Sequence, residues 1–215
     1  MSGLWSDFVA NYPQLVAGLW VSVKLAFLTL ILGVPGGLLL AVASLSRRRL
    51  ARGVAISLVE IGRGTPALVM LQLVYYGSPV TMSGFLSAGI SLALTTAAYT
   101  SEIIRGGLQA VPEGEIEAAS ALGMSRFDSL RDVIIPQGLR IAIPPLMGFC
   151  ILMFQATSLA FTIAVPELMS QATSIANLNF RYLNLFVIAA VMYSIVTITS
   201  SALADRVERR LSSHI

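Results

Sequence analysis

The sequence predicts an all-α membrane protein of about five transmembrane helices, with the N-terminus outside and the C-terminus in the cytoplasm. Three observations carry that prediction. Of 215 residues, 56% are hydrophobic and 12% charged, whereas soluble domains carry about 25% charged residues; mean hydropathy is +0.80. The apolar residues gather into runs long enough to cross a hydrocarbon core, which takes about 20 residues. The arginines fall between those runs. Backbone groups in lipid must be paired internally, so the runs are expected as helices. A closed barrel would instead show alternating segments of about ten residues, and none are visible. The length leaves room for one transmembrane domain over 1–215 and no separate soluble one.

Residues 1–14 read as an interfacial segment, with Leu4, Trp5, Phe8 and Val9 on one helical side; a frayed terminus is the alternative. No basic stretch precedes Asn11, so no cleaved leader is expected and the first span directs insertion. The first span, Leu15–Ala43, holds Lys24 near its outer end, where a long side chain snorkels. Trp5 and Trp20 suit interfacial anchoring. Gly33-Val34-Pro35-Gly36-Gly37 is expected to interrupt this span. The second span, Val54–Tyr76, carries Pro66 after Gly64-Thr65; the third is Phe85–Ile104. The fourth, Ile141–Val165, opens on Pro144-Pro145, and the fifth is Leu183–Leu203. Proline kinks a helix and small residues let helices approach closely. Kinked helices that line a rocking pathway are the functional alternative to plain packing.

The connections sort by charge. Arg47-Arg48-Arg49 and Arg52 follow the first span, and Gly77–Gly84 after the second is uncharged. Arg105, Arg126, Arg131 and Arg140 follow the third, Arg181 alone follows the fourth, and Arg206, Arg209 and Arg210 lie in the tail. Positively charged loops stay inside, and an odd number of spans satisfies that alternation. The net charge of +3 is thus a topology signal rather than a nucleic-acid footprint. With Cys150 and His214 each the single residue of its type, neither an intrachain disulfide nor a metal site is expected. An intramembrane enzyme would need a metal cluster or a nucleophile–base pair. No Gly-Lys-Ser/Thr loop occurs, so any ATP chemistry belongs to a partner.

Residues 110–138 form a charged, amphipathic insert between apolar segments. Pro112 starts a helix or ends the third span. Glu113, Glu115 and Glu117 crowd the beginning of that helix, where acids favour its dipole. Ile116, Ala119 and Leu122 are spaced for one face, and Gly123 is a natural stop. Ser125 is positioned to cap a second short helix running into Pro136, with Asp128 in the capping-box place. The prediction is two short helices bent at Gly123 and lying along the cytoplasmic surface.

Glu117-Ala118-Ala119, three residues, Gly123, nine residues, then Val133, Ile135 and Pro136 resembles the EAA signature of permease subunits of bacterial ABC importers. Val133 and Ile135 replace the usual Ile and Leu. The resemblance implies that this loop is a coupling helix docking in a cleft of a cytoplasmic ATPase dimer, which binds the ATP and magnesium. Glu113, Glu117, Ala118, Ala119, Gly123 and Arg126 are then the coupling residues. Further stretches are similar to the polar amino-acid branch of that family. They include Arg63-Gly64-Thr65-Pro66, Tyr75-Tyr76-Gly77, Tyr99 to Gly107, Val111-Pro112-Glu113-Gly114, Pro136 to Arg140, Pro144-Pro145 and Thr157-Ser158-Leu159. The resemblance covers nearly all of Leu15–Leu203. It implies a type I importer permease of the histidine, arginine, glutamine or opine type in a bacterial inner membrane. Its partners would be a second permease, the same or related, and a solute-binding protein received outside by Gly77–Gly84 and Pro166–Tyr182. Where many relatives have Lys-Asp or Lys-Asn before Thr-Ser-Leu, this chain has Gln155-Ala156; a related permease could supply the missing charge.

Charges inside spans cost about 2.5–3.5 kcal/mol each on insertion scales, so they need partners. Glu60 and Arg63 on the second span, and Glu102 and Arg105 on the third, are each three apart on one face. They are expected as structural pairs, with a gate or substrate contact as the alternative. For the transported molecule the expected face is Gln72, Tyr99, Gln155, Thr157 and Ser158, neutral hydrogen-bonding groups at membrane depth; ordinary interhelical bonding is the alternative. A self-contained channel or secondary transporter is the rival reading, and it leaves the cytoplasmic signature unexplained.

Overall fold

The computed structural model describes residues 2–46 and 48–212; the sequence expectations for Arg47 and His214 fall outside them. Among the described residues every regular element is helical.

Helix α1 (Ser2–Ser44) runs 43 residues without a break. At 1.5 Å per residue that is about 65 Å, roughly twice the hydrocarbon thickness. Residues 2–14 are therefore the first turns of the same helix as the first span. Leu4 and Phe8 pack inward against a buried cluster, while Trp5 is 70% exposed. The interruption expected at Gly33–Gly37 does not occur, and Pro35 lies inside the helix. The glycines serve packing instead. A Cβ on Gly33 would lie 2.5 Å from Thr96 Cβ, and one on Gly37 would lie 2.5 Å from Thr100 Cβ and 2.7 Å from the Ala97 carbonyl. The four-residue spacing brings the two backbones together along one seam.

The second expected span is two helices. Helix α2 (Arg49–Gly64) and helix α3 (Ala67–Gly77) meet at 107°. Pro66 drives the residue before it into extended backbone, and Thr65 sits at φ −88°, ψ 123°. The helix cannot continue, and α3 turns so that Leu71 enters the core.

Helix α4 (Gly84–Gln109) is capped by Ser83, whose hydroxyl accepts from the Leu86 amide. It is long enough to span but falls short of the apolarity of the spanning helices. Its neighbours explain the composition: α1, α2 and α3 cover it, and Ser87, Ser91, Thr95, Thr96, Thr100 and Ser101 are all buried. A helix enclosed by protein rather than lipid can carry hydroxyls; Thr96 donates to the Leu92 carbonyl at 2.7 Å.

Helix α5 (Glu113–Ala121) and a short turn α6 (Arg126–Asp128) form the insert. The second short helix expected to end at Pro136 does not end there. A π-helical segment, Ser129–Ile134, joins α6 to helix α7 (Ile135–Ala156), with the Ile135 amide donating to the Leu130 carbonyl five residues back. The wider turn lets Pro136, which has no N–H, enter the first turn of α7. Through the 3₁₀ segment Thr157–Ile163, the helical rod is continuous from Arg126 to Ile163. Gly107 and Gly138 mark where α7 crosses α4, since a Cβ on Gly107 would lie 2.5 Å from the Gly138 carbonyl.

Helix α8 (Leu168–Asn179) lies within the segment expected as an outer connection, and helix α9 (Tyr182–Ser212) contains the fifth span. Two buried clusters result. One joins α8 and α9 to Leu15 of α1. The other joins Leu25 of α1 to α3, α4 and the 3₁₀ segment. Among the described residues three helices suit a membrane crossing by length and composition, α1, the Arg126–Ile163 rod and α9, or four with the bent α2–α3 pair.

Candidate functional site

The insert closes on itself through its backbone. Gly123 adopts φ +75°, its amide donates to the Ser120 carbonyl, and the Met124 amide donates to the Ala119 carbonyl. Those two bonds with a left-handed glycine are the Schellman ending of α5. Ser125 then accepts from the Asp128 amide at 3.2 Å and restarts the helix. Ala119 is buried, which fixes α5 against the π segment. Glu113, Glu117, Ala118, Leu122, Arg126 and Phe127 face outward, with Leu122 82% exposed. Gln137 of α7 donates to Glu115 at 3.3 Å, tying the insert to the rod. The arrangement is a rigid elbow with apolar and acidic groups on its tip, built directly onto a long helix.

A charge cluster joins α2 and α4. The two pairs read from the sequence are one network: Arg63 Nη1 reaches Glu102 Oε2 at 3.0 Å across α2 and α4, and Glu60 at 3.7 Å on its own helix. Arg105 grips both oxygens of Glu102, at 2.9 and 2.6 Å, and donates to Gln109. Arg63 also lies over the Tyr99 ring, 5.9 Å from its centre, and the Arg63 carbonyl accepts from the Tyr99 hydroxyl at 3.4 Å. Glu102 thus bridges two guanidiniums on different helices. Because the side chains are partly exposed, the expected coupling free energy of Arg63→Ala with Glu102→Ala is about 1 kcal/mol. A double-mutant cycle on thermal unfolding in detergent reads it directly.

The five residues expected along a pathway are spread over α3, α4, the end of α7 and the 3₁₀ segment. Gln72 on α3 donates to Thr162 Oγ1 of the 3₁₀ segment at 3.1 Å. Tyr99 stacks on Phe149, ring centres 5.1 Å apart, and belongs with the charge cluster. Thr157 is fully buried and its hydroxyl donates to the Phe154 carbonyl, so it closes the end of α7 and offers no free group. Ser158 donates to the Gln155 carbonyl, and Gln155 itself is exposed.

A scan against protein-family models matches residues 33–213 to the family described as binding-protein-dependent transport system inner membrane component. The chain belongs to this family. The match takes in the whole elbow and the rod behind it. Curated relatives align along nearly their full length. A probable amino-acid permease protein, YxeN, of Bacillus subtilis is 34% identical, over 97% of this chain and 96% of its own. The nopaline transport system permease protein NocM of Agrobacterium fabrum is 36% identical, over 96% and 91%. The glutamine transport system permease protein GlnP of Escherichia coli is 34% identical, over 96% and 97%. Among solved structures, a chain of an amino acid ABC transporter crystallised with histidines has a TM-score of 0.91 at 36% identity, covering 95% of this chain and 97% of that one. A chain of the inward-facing MetNI methionine ABC transporter has a TM-score of 0.72 at 20% identity over 94% and 98%, a likeness of fold. This permease is a multi-pass inner-membrane subunit with the type I importer fold.

The tertiary partners of two polar groups of the permease carry no sequence-level signal. Asp7 on α1 accepts from Arg181 Nη1 and from Asn184, each at 2.7 Å, and pins the start of α9. Glu167 caps α8 and is fully buried. Burial pushes its carboxyl above the ordinary carboxylate range, while hydrogen bonds from Tyr193, the Met169 and Ser170 amides and Ser22 pull it down. Helix α8 itself had a readable signature: Leu168, Ala172, Ile175 and Ala176 recur at helical spacing behind an acidic cap.

Proposed function

We propose that this permease forms half of the pathway of an importer for a polar amino acid or a related compound, driven at its elbow by a separate ATPase. The names of its relatives support the substrate class, since they include amino-acid, glutamine and nopaline permeases. In this reading ATP and magnesium bind the partner ATPase dimer, and this chain holds no cofactor. A second permease, identical or related, completes the pathway, and a solute-binding protein delivers the compound from outside. The chain crosses the membrane five times, α4 being the crossing enclosed by protein, with the N-terminus outside and the elbow in the cytoplasm.

The observation that carries the reading is the elbow: a loop locked by Gly123, bonded into the rod, and exposing acidic and apolar groups that nothing among the described residues covers. Such a surface suits a partner with a basic, apolar cleft. Helix α5 places Glu117 on its exposed side. Glu117→Lys reverses the charge there and is expected to cut ATP-dependent uptake at least about tenfold. Membrane insertion is unchanged, because the side chain is solvent-exposed. Uptake in vesicles and the yield of co-purified ATPase are the measurements. Full uptake with the ATPase still bound removes the docking role.

A further inference from the structure

Glu167 takes no part in the elbow or the charge cluster, yet it is a carboxylate with no exposed surface. Both of its oxygens are occupied. Oε1 accepts from the Ser170 amide at 2.7 Å. Oε2 accepts from the Met169 amide at 2.9 Å, the Tyr193 hydroxyl at 2.6 Å and the Ser22 hydroxyl at 3.2 Å. The amides belong to α8, Tyr193 to α9 and Ser22 to α1, so one carboxylate ties three helices together. Ser22 also accepts from the Leu168 amide at 3.3 Å. The helices are close enough for this because of Gly18, where a Cβ would lie 2.8 Å from Gln171 Cγ and 3.0 Å from Leu168 Cα.

The position of this knot in the chain gives it meaning. The rod that starts at the elbow ends at Ile163. Ala164 follows with φ +58°, a left-handed conformation that a residue with a side chain rarely adopts. Val165 and Pro166 come next, and then Glu167. Val165 belongs to the cluster with α3 and α4, whereas Leu168 belongs to the cluster with α8 and α9. The border between the two packed bodies therefore falls on residues 166–167, immediately beside the buried acid.

We propose that Glu167 is a positioning residue for transport. It fastens α8 to α1 and α9, so that movement arriving along the rod is taken up at 164–166 and shifts the α3–α4 body against a fixed outer post. The proposal rests on the reading of the elbow as the motor contact. A buried carboxyl is tolerated only while hydrogen-bonded, so sliding α8 away from α1 or α9 strips donors from its oxygens. The junction is thus held in one geometry, where an apolar contact alone would allow creep.

The test uses the assembled transporter in lipid nanodiscs and liposomes, with hydrogen exchange of α8 and α4 amides and solute carried per ATP hydrolysed. Tyr193→Phe and Ser22→Ala each remove a hydroxyl without reshaping the core. Each is expected to speed α8 exchange about tenfold with α4 unchanged, and to lower the solute carried per ATP. Glu167→Gln keeps one acceptor oxygen and should fall between wild type and Glu167→Leu. Unchanged α8 exchange in Glu167→Leu overturns the proposal. So does faster exchange in α8 and α4 alike with an unchanged transport ratio, which marks an ordinary structural group. If the wild-type complex carries no solute on ATP, the motor reading falls, while the exchange measurement still decides whether Glu167 fastens α8.

Discussion

Gly123→Val is expected to cut uptake strongly while the protein still reaches the membrane in normal amount. A Cβ at Gly123 meets no atom within 4 Å, so the effect is conformational and not a clash. At φ +75° a side-chain-bearing residue costs about 1–2 kcal/mol, and a β-branched one more. The chain escapes that cost by leaving the left-handed conformation, which breaks the bonds from Gly123 to Ser120 and from Met124 to Ala119. The elbow then points elsewhere, and uptake is expected to fall at least about tenfold. Gly123→Asn is the control, because asparagine tolerates this conformation; it should keep most of the uptake. If Val and Asn behave alike, the turn geometry does not matter for coupling.

The second large effect is on folding. Gly37→Leu places a branched side chain where even a Cβ would sit 2.5 Å from Thr100 and 2.7 Å from the Ala97 carbonyl. Overpacking costs about 1–3 kcal/mol and occasionally more. Here the obstacle includes backbone on the most extensive interface, α1 on α4, so the loss should reach the upper end of that range. The variant is expected not to accumulate as a folded, detergent-soluble protein. Gly53→Ala on exposed α2, with nothing within 4 Å, should be neutral or gain up to about 1 kcal/mol from helix propensity. Size-exclusion profiles and thermal midpoints in detergent separate the two.

These two glycines show what a sequence carries. Gly123 was legible because its signals are local: acids before it, a capping serine after it, and apolar spacing between. Helix ends are decided by a few neighbouring residues. Gly37 was visible as one of a glycine group with Pro35, but its effect was misjudged as an interruption. Whether a glycine breaks a helix or admits a neighbour depends on α4, sixty residues away in the chain. The bend at Pro66 was likewise marked by the proline, while its 107° angle follows from where Leu71 is buried. Glu60, Arg63, Glu102 and Arg105 were paired along their own helices, since spacing reveals only intrahelical neighbours; the bridge from Arg63 to Glu102 is tertiary. The knot of Ser22, Glu167 and Tyr193 spans separations of 145 and 26 residues, and no periodicity encodes such a meeting. The intrachain partners of the residues expected along a pathway were hidden for the same reason. Neutral polar residues at membrane depth satisfy their own helices as readily as a solute, as Thr157 does with Phe154.

The account depends on a motor touching the elbow. A photo-reactive amino acid at Phe127, 68% exposed beside the turn, reports that contact in intact membranes. The account predicts one major adduct, this permease joined to its ATPase subunit, with a yield that changes between ATP-bound and nucleotide-free states. Irradiation that gives no ATPase adduct in any nucleotide state, from a permease that is inserted and folded, would contradict it.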